Sequence, residues 1–378
     1  MMKVLQISKY YYPYIGGVEQ VANDCATALS SVEDVEQKVF CFNDKKVNEV
    51  SEVNGVEVIR AKTFAKIASQ PISFSYGKML KKCFKEFEPD VVIFHHPNPF
   101  AAMYLLRCLK KRPNCKLVVY WHLDITKQKI LGKLFVGQTN ALLKRASKII
   151  ATSPNYIEGS KSLPFFREKC IVIPNCVTKE HTTATEEVVA RANEIKNQNE
   201  GKKILFAVGR HVPYKGMEYL VDASKFLSDK FKVFIGGSGE LTESLIKKAE
   251  NDEKVVFTGR LSEVDIKAYM LACDVFCFPS ITKNEAFGIA LAEAMAFEKP
   301  AVTFTIEGSG VNYVNLNGVT GIEVENGNVE EYAKAITLLA NDEELCRKYG
   351  KAAKERVEEN FTFNTFKANL TQLINQLT

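Results

Sequence analysis

The stretch NEAFGIALAEAMAFEKP, residues 284–300, carries two glutamates in an otherwise apolar run. A helix that is apolar all round is buried, and a buried carboxylate is costly unless it is paired or hydrogen-bonded. The preceding CFPSITK reads as a strand and a loop. Phe287, Gly288 and Ile289 then form the expected first turn, whose free N–H groups suit a phosphate. Glu285 stands just outside that turn. Glu293 lies two turns along, about 12 Å at ~1.5 Å per residue, a span comparable to a sugar diphosphate plus ribose. One carboxylate can meet sugar hydroxyls and the other ribose hydroxyls. The competing reading is a helix cap for Glu285 and an internal ion pair for Glu293.

Cations stand elsewhere at strand ends. In FAVGRHVPYKGMEYLV, Arg210 and Lys215 share one strand-to-helix loop between Gly209 and Gly216. A planar fork and a flexible point charge suit a diphosphate; solvated loop charges are the alternative. Gly16 and Gly17, in YYYPYIGGVEQVA, precede a helix, where glycines let backbone N–H groups approach an anion or simply make a tight turn. VFIGGSGELTE, which holds Gly239, resembles a glycine-rich nucleotide loop but lacks the third glycine of G-x-G-x-x-G, so a dinucleotide is not expected. VVYWHLDI ends a strand with His122 and Asp124, and His122 is either a ligand to sugar or phosphate or a satisfied structural histidine. His95 and His96 end another strand with no metal-ligand pattern around them.

These residues need strands and helices to hold them. KVLQIS, EQKVFCF, GVEVIRA, DVVIFHH, KLVVYWH, KIIATS and CIVIPN read as strands, with helices between several of them. Such alternation implies a parallel sheet wrapped by helices. The polar segment TKEHTTATEEVVARANEIKNQNEGKK reads as an interdomain connection. The same grammar restarts with KILFAVG, FKVFIGG, KVVFTG, DVFCFPS and PAVTFT, alternating with helices at 217–227, 241–250, 263–271 and 287–297. The tail is helical nearly throughout. The expectation is two α/β domains facing across a cleft, with ligands beyond the carboxyl ends of the strands.

Length and composition agree with this. The chain has 378 residues, 46% hydrophobic and 25% charged, as ordinary globular domains do. No apolar run reaches the roughly 18 residues of a membrane span, and no secretory signal is expected. The ten cysteines lack ligand spacing and read as free thiols in a reducing compartment. Residues 1–180 hold 27 Lys and Arg against 16 Asp and Glu, a net +11, while the remainder is −6. The excess recurs in short helical pieces, chiefly ITKQKILGKLFVGQTNALLKRASK, so nucleic acid is not the expected partner. Interleaved apolar residues suit an interfacial helix on anionic lipid or a solvated helix face.

Together these motifs resemble the retaining nucleotide-sugar glycosyltransferases of group 1, of the GT-B class, over essentially the whole chain. The most specific parts are EAFGIALAEAMA, with its Glu-x7-Glu spacing, and GRHVPYKG. The Gly16-Gly17 loop, WHLD, IPN, GGSGE, VVFTGR and NGVTGIEVENG follow in the family's order. The resemblance implies two Rossmann-like domains, 1–178 for the acceptor and 179–358 for the donor, with a last helix, 359–378, crossing back to the first. It implies that Arg210 and Lys215 bind the donor diphosphate, and that Glu285 meets the donor sugar with backbone from Phe287 to Ile289. Glu293 would hold the ribose, and the backbone at Arg260 and Leu261 the base. Gly16, Gly17 and Gly239 would line the donor phosphates, and His122 would reach the sugar from the acceptor side.

No metal or other cofactor is expected. The implied partners are a nucleotide sugar, a lipid-linked or oligosaccharide acceptor and an anionic membrane surface. The implied location is cytoplasmic, with peripheral attachment at the inner face of the membrane. Three departures stand out: IPNCVT for the commoner IPNGVD, His211 where an apolar residue is usual, and GSGVNYVNLNGVTG. The last resembles sugar transferases of bacterial surface-polysaccharide assembly, including mannosyltransferases, and leans the donor toward GDP-mannose. A nucleotide-sugar epimerase and a silent nucleotide-sugar-binding protein are the rival readings.

Overall fold

Val- and Ile-rich runs bounded by turn residues form the strands of two parallel sheets. The computed structural model describes residues 1–14, 16–67, 70–124 and 129–377, with backbone alone for 129–134. The chain divides into unit 1, Met1–Cys176 with Phe363–Thr378, and unit 2, Val177–Thr362.

Unit 1 contains β1 (Met2–Ile7), β2 (Val35–Phe42), β3 (Glu49–Val53), β4 (Val56–Ala61), β5 (Ala65–Ile67), β6 (Gln70–Ile72), β7 (Val91–His96), β8 (Lys116–Trp121), β9 (Lys148–Ala151) and β10 (Cys170–Val172). Its main sheet runs β10-β9-β8-β7-β1-β2-β4-β3, and β5 pairs with β6 as a separate hairpin. Every pairing in the main sheet is parallel except β3 with β4. Central strands buried on both faces explain continuous runs such as VVIFHH, all six residues of which are buried. The tail helix Phe363–Asn375 packs on Gly17–Leu29, burying Phe366, Leu370, Leu373 and Ile374. Of the basic helical stretch, 125–128 lie outside the described residues, and a helix runs Lys129–Arg145. Within it, Arg145 donates to the carbonyls of Pro113 (3.0 Å) and Cys115 (2.6 Å), so this cation is bound to protein.

Unit 2 contains β11 (Lys203–Val208), β12 (Phe231–Gly236), β13 (Val255–Gly259), β14 (Val275–Phe278), β15 (Ala301–Phe304) and β16 (Gly321–Val324). They run β13-β12-β11-β14-β15-β16, all parallel. This is the doubly wound order, in which the direction of strand addition across the sheet reverses between the first and fourth strands. The segment read as a connection is instead part of this unit. Its helix Glu186–Gln198 buries Val188, Ala192 and Ile195, packs on Glu263–Ala272, and ties Arg191 Nε to Asp265 Oδ1 at 3.0 Å. Its polar composition is the solvent face of an amphipathic helix.

The tail helix should be a structural member of unit 1. Leu370 is fully buried, so Leu370→Ala should cost about 2–5 kcal/mol. The single tryptophan, Trp121, lies buried in β8 of the same unit. Its fluorescence in a urea titration should report the loss, and an unchanged midpoint would separate the helix from that core.

Candidate active site

In unit 2 the strand order reverses between β11 and β14, so the loops following these two parallel neighbours lie side by side. After β11 the chain makes a short 3-10 turn, Pro213–Lys215, and then Gly216 takes φ 61°. A Cβ at 216 would stand 2.1 Å from the Pro279 carbonyl oxygen. Only glycine fits both that backbone conformation and that approach. The Ile281 N–H, donating to the Tyr214 carbonyl at 3.1 Å, closes the same contact.

The consequence is chemical. Lys215 Nζ meets Glu285 Oε2 in an ion pair whose side chains are 14% and 12% exposed. Ser280 Oγ donates to the same carboxylate oxygen at 3.2 Å. The ammonium also sits 5.3 Å from the centre of the Phe278 ring. Buried Ser309 donates its hydroxyl to the Glu285 carbonyl. The two residues assigned from sequence to diphosphate and sugar thus touch each other.

The helix expected from 287 runs Ile289–Ala296, and Gly288 is its left-handed cap at φ 89°. Phe287 is a core anchor, edge-on to Phe361 at 5.3 Å. The Gly288 carbonyl accepts from Leu291 and Ala292, while the first N–H groups of any helix lack intrahelical partners. Glu293 Oε1 lies 3.5 Å from His181 Nδ1, its side chain 17% exposed. Burial pushes its carboxyl above the ordinary range; His181 opposes this and Glu263 adds to it. Thr178 Oγ1 stands 3.3 Å from the same His181 nitrogen.

A second group surrounds the glycine-rich turn. Arg210 is exposed and donates Nη2–H to Tyr214 Oη at 3.0 Å. Arg260, also exposed, follows β13 and donates Nε–H to Ser238 Oγ at 3.0 Å. Leu261 lies against Gly236, its Cδ1 3.0 Å from where a Cβ would be. Gly239 donates its N–H to Thr242 Oγ1 at 2.8 Å.

The remaining expected residues belong to unit 1. Gly16 is the extended cap of Gly17–Leu29, with Glu19 in the first turn. A Cβ on Gly16 would stand 2.3 Å from Glu19 Oε2, while none of the surroundings would touch one on Gly17. A carboxylate already occupies this helix start, so a phosphate there would meet repulsion. His122 is buried, with Nε2 2.9 Å from His95 Nδ1. Burial pushes its ring well below the ordinary histidine range, and His95 and His96 add to this. Both of those are pushed down to about 3 by burial, so the cluster is neutral near neutral pH. Asp124 is structural: it accepts from Trp121 Nε1 (3.1 Å), Ser160 Oγ (2.7 Å) and the Lys161 N–H (3.1 Å).

Sequence reasoning missed His181, Ser280, Ser309 and Thr242. Ser280 stands two residues past the end of β14, which was a usable signal. His181 sat in a stretch without apolar periodicity, where nothing marked it.

Comparisons with known proteins bear on this arrangement. A family model described as "Glycosyl transferases group 1" matches residues 189–356, and one for "Glycosyltransferase Family 4" matches 15–181. The O-antigen chain mannosyltransferase C of Escherichia coli is 32% identical over 364 residues, covering 96% of this chain and 95% of that protein. The D-rhamnosyltransferase WbpZ of Pseudomonas aeruginosa is 30% identical over 366 residues, covering 96% and 92%. The Anabaena protein HepE, solved in complex with UDP, is similar in structure with a TM-score of 0.79 at 17% identity, over 99% of this chain and 100% of that one. That likeness shows the fold class, GT-B.

The raised Glu293 pKa sets a pH dependence. The folded state holds this proton above the pH at which the unfolded chain releases it. Its contribution to stability is therefore lost as pH rises from the unfolded value of 4.5 through the folded one. Glu293→Gln lacks that loss. Its thermal midpoint should gain on the wild type between pH 4 and pH 7, whereas a constant difference would show an unperturbed carboxyl.

Proposed function

The chain belongs to the group 1 glycosyltransferases, and we propose that it moves a hexose from a nucleotide-diphosphate sugar onto a lipid-linked or oligosaccharide acceptor of polysaccharide assembly. Transfer proceeds with retention at the anomeric carbon and without a metal ion. The observation that carries this reading is the meeting of Lys215 and Glu285 at the β11/β14 reversal, beside a capped helix start and an exposed Arg210.

The donor diphosphate takes Lys215 and Arg210 and lies toward the helix start. Negative charge grows on the leaving phosphate in the transition state, and these groups stabilise it there. Drawing Lys215 onto phosphate frees Glu285 to accept from donor-sugar hydroxyls. Glu293 exchanges His181 for the ribose, and the backbone at Arg260 and Leu261 meets the base. Gly239 lines the phosphates, the Gly16-Gly17 loop joins it only once Glu19 leaves the helix start, and His122 meets the sugar as a neutral ring. The leaving phosphate oxygen takes the acceptor hydroxyl's proton as the new bond forms on the face it vacates.

The lean toward GDP-mannose is supported by the mannosyltransferase relative and by the GSGVNYVNLNGVTG segment. Unit 1 carries 27 Lys and Arg against 15 Asp and Glu, a net +12. That charge suits an acceptor on an anionic carrier and attachment at the inner membrane face. Among the described residues no helix is long and apolar enough to cross a membrane.

Glu285→Ala should lower turnover by at least ~100-fold yet bind free GDP or UDP at least as tightly, because Lys215 is released. Lys215→Ala should weaken nucleotide binding by roughly tenfold or more, a charged hydrogen bond's contribution. Calorimetry and a transfer assay separate the two, and wild-type turnover in the Glu285 variant would sink the assignment. Transfer should also survive EDTA; a strict need for Mg²⁺ or Mn²⁺ would overturn the metal-free site.

A further inference from the structure

The glycine-rich turn 237–240 is held between two other backbones. The His211 N–H donates to the Ser238 carbonyl at 3.1 Å, the Leu241 N–H to the His211 carbonyl at 3.0 Å, and the Gly237 N–H to the Gly259 carbonyl at 2.7 Å. A Cβ on Gly239 would stand 2.4 Å from the His211 carbonyl oxygen. At the centre is a fully buried imidazole. His211 Nδ1 is hydrogen-bonded to Thr242 Oγ1 at 2.9 Å, and that hydroxyl accepts the Gly239 N–H. Nε2 is buried and makes no hydrogen bond of ordinary geometry, the Gly236 carbonyl being the polar group that faces the ring. Burial pushes the ring below the ordinary histidine range, with the Gly236 carbonyl opposing, so the ring is neutral near neutral pH.

A buried imidazole with one unsatisfied nitrogen is a costly way to fill this space, and a leucine would fill it without that penalty. What leucine lacks is the bond to Thr242. We propose that His211 is a positioning residue for the donor diphosphate. Through Thr242 it sets the shape of the turn at Ser238–Gly239. It also fixes that turn against the loop whose preceding residue is Arg210. Arg260, bonded to Ser238 Oγ, is aligned by the same contact. The ligand class is a nucleoside diphosphate, and the inference rests on the donor-site reading above.

The test measures GDP and UDP binding by calorimetry, with donor and acceptor KM and kcat from the transfer assay. His211→Leu and Thr242→Val should each weaken nucleotide binding by roughly tenfold, the effect of one lost hydrogen bond in a network. Donor KM should rise similarly, with kcat and acceptor KM near wild type. The double variant should bind no more weakly than either single one. His211→Asn, whose amide reaches the place of Nδ1, should bind close to wild type. Thermal midpoints check folding, and Thr242→Val alone carries the test where the leucine variant does not fold. Wild-type binding in His211→Leu and Thr242→Val, additivity in the double variant, or an equal loss in His211→Asn would overturn the inference. A wild-type protein that binds neither nucleotide would overturn the donor-site reading itself, and this inference with it.

Discussion

A side chain at position 216 would strike the Pro279 carbonyl, and the site in unit 2 depends on that missing side chain. Parallel strands place their carboxyl ends side by side, but they do not by themselves close two loops onto each other. The left-handed glycine lets the β11 loop turn within backbone contact of the β14 loop. Lys215, one residue earlier, then meets Glu285. The ion pair and the ring contacts of the ammonium accompany this one close approach.

That geometry has an electrostatic cost which is met locally. Lys215 and Glu285 are both largely withdrawn from water, where a lone charge would be expensive. Each partner, with Ser280, lowers the cost for the other. Glu293 shows the opposite balance: His181 at 3.5 Å is a weak partner, and its carboxyl stays above the ordinary range. A group left partly uncompensated in the free protein has the most to gain from a ligand that supplies donors. The glutamate before the apolar helix and the one within it therefore differ in how much a ligand can change for them.

The architecture was legible because its signals are periodic: alternating apolar strands and helices, restarting near residue 203. The strands that escaped notice have weak signals. β3 alternates Glu, Val, Ser, Glu and Val on an edge, and β16 is four residues with a glutamate inside. The helix Glu186–Gln198 was hidden by a solvent face so polar that only three buried positions remain. At the site, residue types at strand ends singled out the loops after β11 and β14, which the structure brings together. They did not reveal which groups pair in the folded chain. Glu285 with Lys215, Glu293 with His181 and His211 with Thr242 are contacts between segments far apart in sequence, and spacing carries no information about them. The carboxylate at Glu19 stood in plain view, but its occupation of the Gly16 helix start depends on a rotamer.

Charge is distributed against the simplest expectation for a donor site. Unit 2 holds 23 Lys and Arg against 30 Asp and Glu, a net −7, so its overall field repels a diphosphate. On the proposed donor-site reading, binding then rests on placed cations and not on long-range steering. Arg210 and Arg260 each sit beside a glycine-bearing turn and are tethered by a neutral partner, Tyr214 or Ser238, and so remain uncompensated by a carboxylate in those bonds. Of the three, Lys215 alone is paired with a carboxylate in these contacts, and in the proposed donor site it is the one that a diphosphate takes from Glu285. In that proposed site, specificity for a ligand with both phosphate and hydroxyl groups follows from the exchange: an anion alone strands the carboxylate, and a sugar alone leaves the ammonium where it was.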